Sequence, residues 1–148
     1  MILFVDSSSI VSLHLQETGR AGLVGHLIAA ADAVSCSRIA YVEVRRALAR
    51  ARQERPRRLS AGRYTQAVSQ FNSDWPRYVR VAVTERLIHA AGDVAERHVL
   101  KALDALQLAS AIALKNGVPD MLVFSSWDGN LNKAARTEGL VIAEEHLT

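Results

Sequence analysis

Four acidic side chains stand where acids are uncommon. Asp6 directly follows the apolar run Ile2-Leu3-Phe4-Val5 and opens the hydroxyl run Ser7-Ser8-Ser9. That pattern predicts a buried central strand whose carboxyl end delivers Asp6 to a polar turn, where open parallel sheets bind ligands. Asp128, with Ser126 just before it, follows Met121-Leu122-Val123-Phe124 in the same way. Both acids have a plainer use, since Asp is a preferred helix cap. Glu43 lies in the core-facing stripe Ile39, Ala40, Val44, Ala47 and Ala51 of a predicted helix, and its plainer partner is Arg46 or Arg50. Asp104 sits between Ala102 and Leu114, a stretch apolar nearly all round, which predicts a helix buried by its neighbours. An unpaired charge there costs on the order of several kcal/mol unless Lys101 or a bound cation compensates.

Two acids at strand ends and two on core-facing helix positions describe an oxygen-lined pocket suited to Mg²⁺ or Mn²⁺. Such hard cations take carboxylate, hydroxyl and water ligands and are completed by substrate phosphates. The matching chemistry is metal-assisted phosphodiester hydrolysis, in which a positioned water attacks phosphorus. Charge placement suits that substrate: Lys+Arg 18 against Asp+Glu 15 gives only +3, yet nine arginines from Arg38 to Arg63 face just Glu43 and Glu54. The rest of the chain is therefore net acidic. A basic arm beside acid-bearing strand ends fits a polyanion, although an Arg-rich helix also serves as a solvated face. At about 100° per residue, Arg46 and Arg50 fall beside the Glu43 edge while Arg45 and Arg52 point nearly opposite, which makes the first pair the candidate substrate-binding pair. His14, His26, His89, His98 and His146 are scattered without zinc-ligand spacing.

The elements that must position these acids alternate along the chain. At 148 residues and 49% hydrophobic composition, one compact domain with a real core is expected, residues 1–148. The lone Cys36 can form no internal disulfide, and neither a leader nor a spanning apolar segment is expected, which suits a reducing cytoplasm. After the first strand, Ser8 to Gln16 and about Ala21 to Ala30 read as two helical pieces. Ala33 to Cys36 reads as a second strand, and Ser37 as the cap of a helix reaching about Arg55, where Pro56 ends it. Ala61 to Phe71 reads as helix, Asn72 to Pro76 as a break, and Tyr78 to Val83 as a third strand. Thr84 caps another helix, a separate short one runs from Asp93 to His98, and a longer one from Leu103 to Lys115 stops at Asn116-Gly117. Met121 to Phe124, a helix from about Leu131 to Thr137, Gly139 as its stop, and the strand Leu140 to Ile142 complete a three-layer α/β/α domain with a mainly parallel central sheet.

Four stretches in this order resemble the PIN-domain ribonucleases. They are Phe4-Val5-Asp6-Ser7-Ser8, the helix Ser37 to Leu48 around Glu43, the block Leu100 to Ala111 around Asp104, and Phe124-Ser125-Ser126-Trp127-Asp128-Gly129-Asn130-Leu131. In length and motif order the chain is most similar to VapC-type toxins of bacterial toxin–antitoxin pairs. The resemblance implies a PIN-like fold, Mg²⁺- or Mn²⁺-dependent endoribonuclease activity on RNA, a homodimer, and a small antitoxin protein whose tail occupies the acidic groove. It also implies that Asp6, Glu43, Asp104 and Asp128 form the catalytic, metal-holding quartet, with Ser8 and Ser126 as hydroxyls flanking it. Two positions depart from the pattern: Gln107 stands where many such toxins have His, and Ser126-Trp127-Asp128 replaces the commoner Thr-aromatic-Asp.

Other classes fit less well. A phosphoacceptor signalling domain wants neighbouring acids and a late lysine, whereas Ser7-Ser8 follow Asp6 and no lysine follows Leu140-Val141-Ile142. A phosphatase of the haloacid dehalogenase type wants a second Asp where Ser8 stands. The stronger rival is a catalytically inactive PIN-like module that binds RNA or protein, against which stands the cost of keeping all four acids in place without a metal.

Overall fold

The computed structural model describes residues 1–143, so the expected surface role of His146 lies outside the described residues. Five strands form one sheet, β1 (Ile2–Val5), β2 (Ala33–Ser37), β3 (Val79–Val81), β4 (Leu122–Ser125) and β5 (Val141–Ile142), in the order β3-β2-β1-β4-β5. All four pairings are parallel, with Phe4 opposite Phe124 and Val5 opposite Ser125. The chain builds outward from β1 to β3, then crosses back to lay β4 on the other side of β1. The switch point of the sheet therefore lies between β1 and β4, the crevice where open α/β sheets take ligands.

Alternation along β1 makes the three layers. Leu3 and Val5 pack with Ile10, Leu27, Val44, Leu48 and Phe71, which come from α1 (Ser7–His14), α2 (Arg20–Ala30), α3 (Ala40–Gln53) and α4 (Ala61–Asp74). Phe4 faces the other way, stacks on Phe124 at 5.7 Å, and joins Val94, Leu108 and Leu131 from α5 (Glu85–His98), α6 (Ala102–Gly117) and α7 (Gly129–Thr137). Each wholly buried Leu or Phe of this kind contributes roughly 1.5–3 kcal/mol of transfer free energy.

Several element boundaries differ from the expectation. Ser37 is not a helix cap; it stays in the ladder opposite Val81, and its Oγ accepts only from the Ile39 N–H at 3.4 Å before α3 begins at Ala40. α3 ends at Gln53 rather than Arg55, because the residue before Pro56 is pushed out of the helical region. No break occurs at Asn72: α4 runs on to Asp74 and passes into a 3-10 turn, Trp75–Arg77, whose first turn tolerates Pro76. The two helices expected between Thr84 and His98 are one, because Leu87, Ala91 and Val94 form a single buried stripe. Thr84 does cap it, its Oγ1 accepting from the Leu87 N–H at 3.1 Å.

α6 is not buried all round. Its buried face is Ala105 with Gln107 through Ala111, while Leu103 is 49% exposed. Asp104 is therefore half-buried in the first turn, where the helix dipole favours an acid. The burial cost expected for it from the apolar sequence is correspondingly smaller. Between α5 and α6 the chain turns through Val99, a β-branched residue held at φ +50° and 90% exposed, a backbone strain of about 1–2 kcal/mol.

Candidate active site

Asp6 is both a cap and the centre of a network. It starts α1, one oxygen accepting from the Ser9 N–H at 3.1 Å, yet only 4% of the residue is exposed. Ser8 Oγ donates to Oδ1 and Ser126 Oγ donates to Oδ2, both at 2.7 Å. The same two hydroxyls accept backbone N–H groups from the turn after β4: Ser8 from Trp127 at 2.9 Å, Ser126 from Asp128 at 3.0 Å. Asp6 is thus gripped from both strands of the switch point. Burial nevertheless dominates, and it pushes the carboxyl up to about 6 against these hydrogen bonds, with the negative charge of Glu43 adding to the rise.

Glu43, in the first turn of α3, does not pair with Arg46 or Arg50. Arg50 turns to Glu54 at 3.3 Å, and Arg46 is exposed. The partner of Glu43 is Gln107 on α6, whose Nε2 donates to Oε1 at 2.8 Å, and Ser7 adds a side-chain hydrogen bond. This contact links helices on opposite faces of the sheet across its carboxyl edge. Gln107 is 1% exposed, and its own Oε1 has no hydrogen-bond partner among the described residues. The carboxyl of Glu43 is raised by burial first and by Asp104 second.

Asp104 and Asp128 complete the row. Asp128 caps α7, its Oδ1 accepting from the Leu131 N–H at 2.9 Å, and buried Asn132 holds the turn by donating to the Ser126 carbonyl at 2.9 Å. Asp104 is raised by burial and by Asp128, with Lys101 opposing. Each acid therefore feels the next: Asp6 feels Glu43, Glu43 feels Asp104, and Asp104 feels Asp128. Among the described residues, none of the four lies within ion-pairing distance of a Lys, Arg or His.

This donor set fits a hard divalent cation, because a row of desolvated carboxylates that repel one another is what such a charge offsets. Still, no three His, Cys, Asp or Glu groups among the described residues form a ligand cluster on their own. Water or substrate oxygens would have to complete any coordination shell, as Mg²⁺ permits. Sequence reasoning left Ser7 and Asn132 out of the site and gave Gln107 no role. The only local signal for Gln107 was an amide three residues beyond Asp104, on the face the helix buries.

The PIN domain family matches residues 3–135 of this chain. Two relatives from Mycobacterium tuberculosis, ribonuclease VapC45 of strain CDC 1551 and ribonuclease VapC49 of strain H37Rv, are each 34% identical over 146 residues, covering 99% of this chain and 97% of theirs. Among solved structures, VapBC2 from Rickettsia felis bound to a promoter DNA fragment superposes with a TM-score of 0.64 at 14% identity, covering 96% of this chain and 97% of that one. FitAcB from Neisseria gonorrhoeae gives 0.63 at 16% identity, covering 96% of each chain. The switch-point acids, the parallel sheet and these likenesses agree, and the chain belongs to the PIN-domain family, among its VapC members.

Proposed function

We propose that this protein is a Mg²⁺- or Mn²⁺-dependent endoribonuclease, the toxin of a toxin–antitoxin pair, with residues 1–148 forming one nuclease domain. The observation that carries the reading is the row Asp6, Glu43, Asp104 and Asp128, mutually repelling and without an ion pair among the described residues, at the switch point of the sheet. The VapC ribonuclease names of relatives aligned over nearly the whole chain support it. The four acids would hold the ion, which supplies Lewis-acid chemistry: charge neutralisation on phosphoryl oxygens and easier loss of a proton from the attacking water. Ser8 and Ser126 fix both oxygens of Asp6, and Gln107 with Ser7 fixes Glu43, so the carboxylates are oriented before substrate arrives. In hydrolysis the water oxygen would bond to phosphorus as the phosphorus–oxygen bond to the ribose breaks, one water proton passing to a carboxylate of this set, which releases it to solvent, while the ribose oxygen leaves with the bond's electron pair and takes a proton from water.

Arg46 and Arg50 remain candidates for RNA contacts outside the acid row. The VapBC complexes among the structural relatives support an antitoxin partner. Exposed Val42, Ile88 and Leu103 are apolar surface that an antitoxin or a second copy in a homodimer would cover. No helix among the described residues is long and apolar enough to cross a membrane, and the free thiol of buried Cys36, pushed up to about 12 by burial, suits a reducing cytoplasm. The rival, a binding module without catalysis, draws on the absence of a three-ligand cluster among the described residues.

Cleavage of a total RNA pool with Mg²⁺, with Mn²⁺ and with chelator separates the two. Cleavage that requires a divalent ion and falls more than about 100-fold in Asp104→Asn is the expected result, exceeding the loss typical of residues that only orient a ligand. Wild-type protein that binds RNA yet cuts it with neither ion would establish the rival.

A further inference from the structure

A cleft of about 520 Å³ opens beside Asp104 and Asp128, between the α5–α6 turn and α7. That volume is in the range of roughly 300–1,000 Å³ typical of ligand sites. The cleft carries both signs of charge. Arg97 and His98 line it but are committed to Glu138, whose Oε1 accepts from Arg97 Nε and Nη2 at 3.0 and 2.9 Å and lies 2.7 Å from His98 Nε2. Lys101 and Lys133 are exposed, line the same cleft, and make no ion pair among the described residues. Asn130 and Thr137, also exposed, add polar groups to that wall.

Two ammonium groups that form no ion pair among the described residues, Lys101 acting on Asp104 only through its charge, stand next to two carboxylates and make a wall that alternates in sign. An RNA strand alternates too: a phosphate every nucleotide, with neutral sugar and base between. If the scissile phosphate lies at the acid row, its neighbour along the strand falls where cations are required, and a lysine supplies that charge without needing a fixed geometry. An acidic peptide has no such reason to run past Asp104 and Asp128. Resting on the nuclease reading, we infer that this cleft holds the nucleotide adjacent to the scissile linkage, with Lys101 and Lys133 neutralising its phosphate. The arginine arm on α3 is then secondary to two lysines on the far side of the sheet.

The test is salt-titrated binding of a short, mixed-sequence, single-stranded fluorescent RNA to the Asp6→Asn protein in Mg²⁺. Lys101→Gln and Lys133→Gln are compared with Arg46→Gln and Arg50→Gln in that background. Each lysine change is expected to weaken binding several-fold and to flatten the log–log salt slope by about 0.7, the increment for one lost phosphate contact on a single strand. Lys→Arg at either position restores the slope, which a merely structural role would not require, and thermal melting checks the fold of every variant. An unchanged slope in the double lysine variant, with RNA still bound, overturns the inference, leaves the nuclease reading standing and frees the cleft for an acidic protein segment. Parent protein that neither binds nor, with Asp6 restored, cleaves RNA takes down both.

Discussion

The carboxyl edge of the sheet and the arginine-rich wall of α3 and α4 treat charge in opposite ways. At the sheet edge, Asp6, Glu43 and Asp128 have hydroxyl, amide and backbone partners, Asp104 feels the charge of Lys101, and none of the four forms an ion pair among the described residues. Along the wall, five of the nine arginines are engaged. Arg45 Nη1 donates to the Tyr41 hydroxyl at 2.8 Å and its guanidinium lies 5.6 Å from that ring. Arg52 lies 5.9 Å from the Tyr64 ring, Arg58 pairs with Glu17 at 2.8 Å, Arg63 donates to Gln16 at 2.9 Å, and Arg50 pairs with Glu54. Behind them, the rings of His14, Phe71, Tyr41, Trp75 and Tyr78 form a continuous chain of edge-on, stacked and tilted contacts. The difference teaches that a run of charge in a sequence need not be free charge on the surface; the carboxylates left without an ion pair among the described residues are the ones on which the proposed nuclease reading rests.

The largest effect expected from this contrast is on stability. Asp6 is raised from 3.8 to about 6, so the folded state binds its proton more tightly than the unfolded state does. The associated stability is fully present below about pH 4 and is lost as pH rises through about 6. Metal-free protein should therefore melt higher at pH 5 than at pH 7, and Asp6→Asn should remove most of that slope, with roughly 2–3 kcal/mol at pH 7. Melting curves of both proteins in chelator across pH 4–8 check it; parallel curves would mean that the acids are not strained by burial.

Next in size is Gln107→Leu. It removes the donor to Glu43 while also removing the unpartnered buried oxygen, so the fold should survive and cleavage should fall about 10–100-fold, the range for groups that orient a ligand. Loss of fold rather than activity would move Gln107 from the proposed active site to the structural core. On the wall the pattern should invert: Arg45→Ala and Arg52→Ala are each expected to cost about 1 kcal/mol in denaturant unfolding and to leave cleavage unchanged. Smallest is Val99→Gly, which relieves the positive φ beside the acid cleft and should stabilise by about 1 kcal/mol or less, raising Tm by roughly 2–4 °C.

The sequence by itself determined the layered architecture and the places where acids meet strand ends, because both are written in local periodicity. The continuous apolar run before Asp6 and the one before Ser126 could be buried only as central strands, and each leaves its acid at the carboxyl edge. Local pattern was weaker at element ends, where Ser37 stayed in the sheet and Leu87, Ala91 and Val94 carried α5 straight through the expected gap. What only the tertiary structure decided is who partners whom. Glu43 meets Gln107, 64 residues away, rather than the arginines one and two turns along its own helix. Ser126 reaches Asp6 across 120 residues, and five of the nine arginines are taken up by the rings of Tyr41 and Tyr64, by Glu17 and Glu54, and by Gln16. Those partnerships follow from β4 lying beside β1 and from helices of opposite layers meeting over the sheet edge, a juxtaposition that hydrophobic period does not encode because it repeats equally well in any strand order.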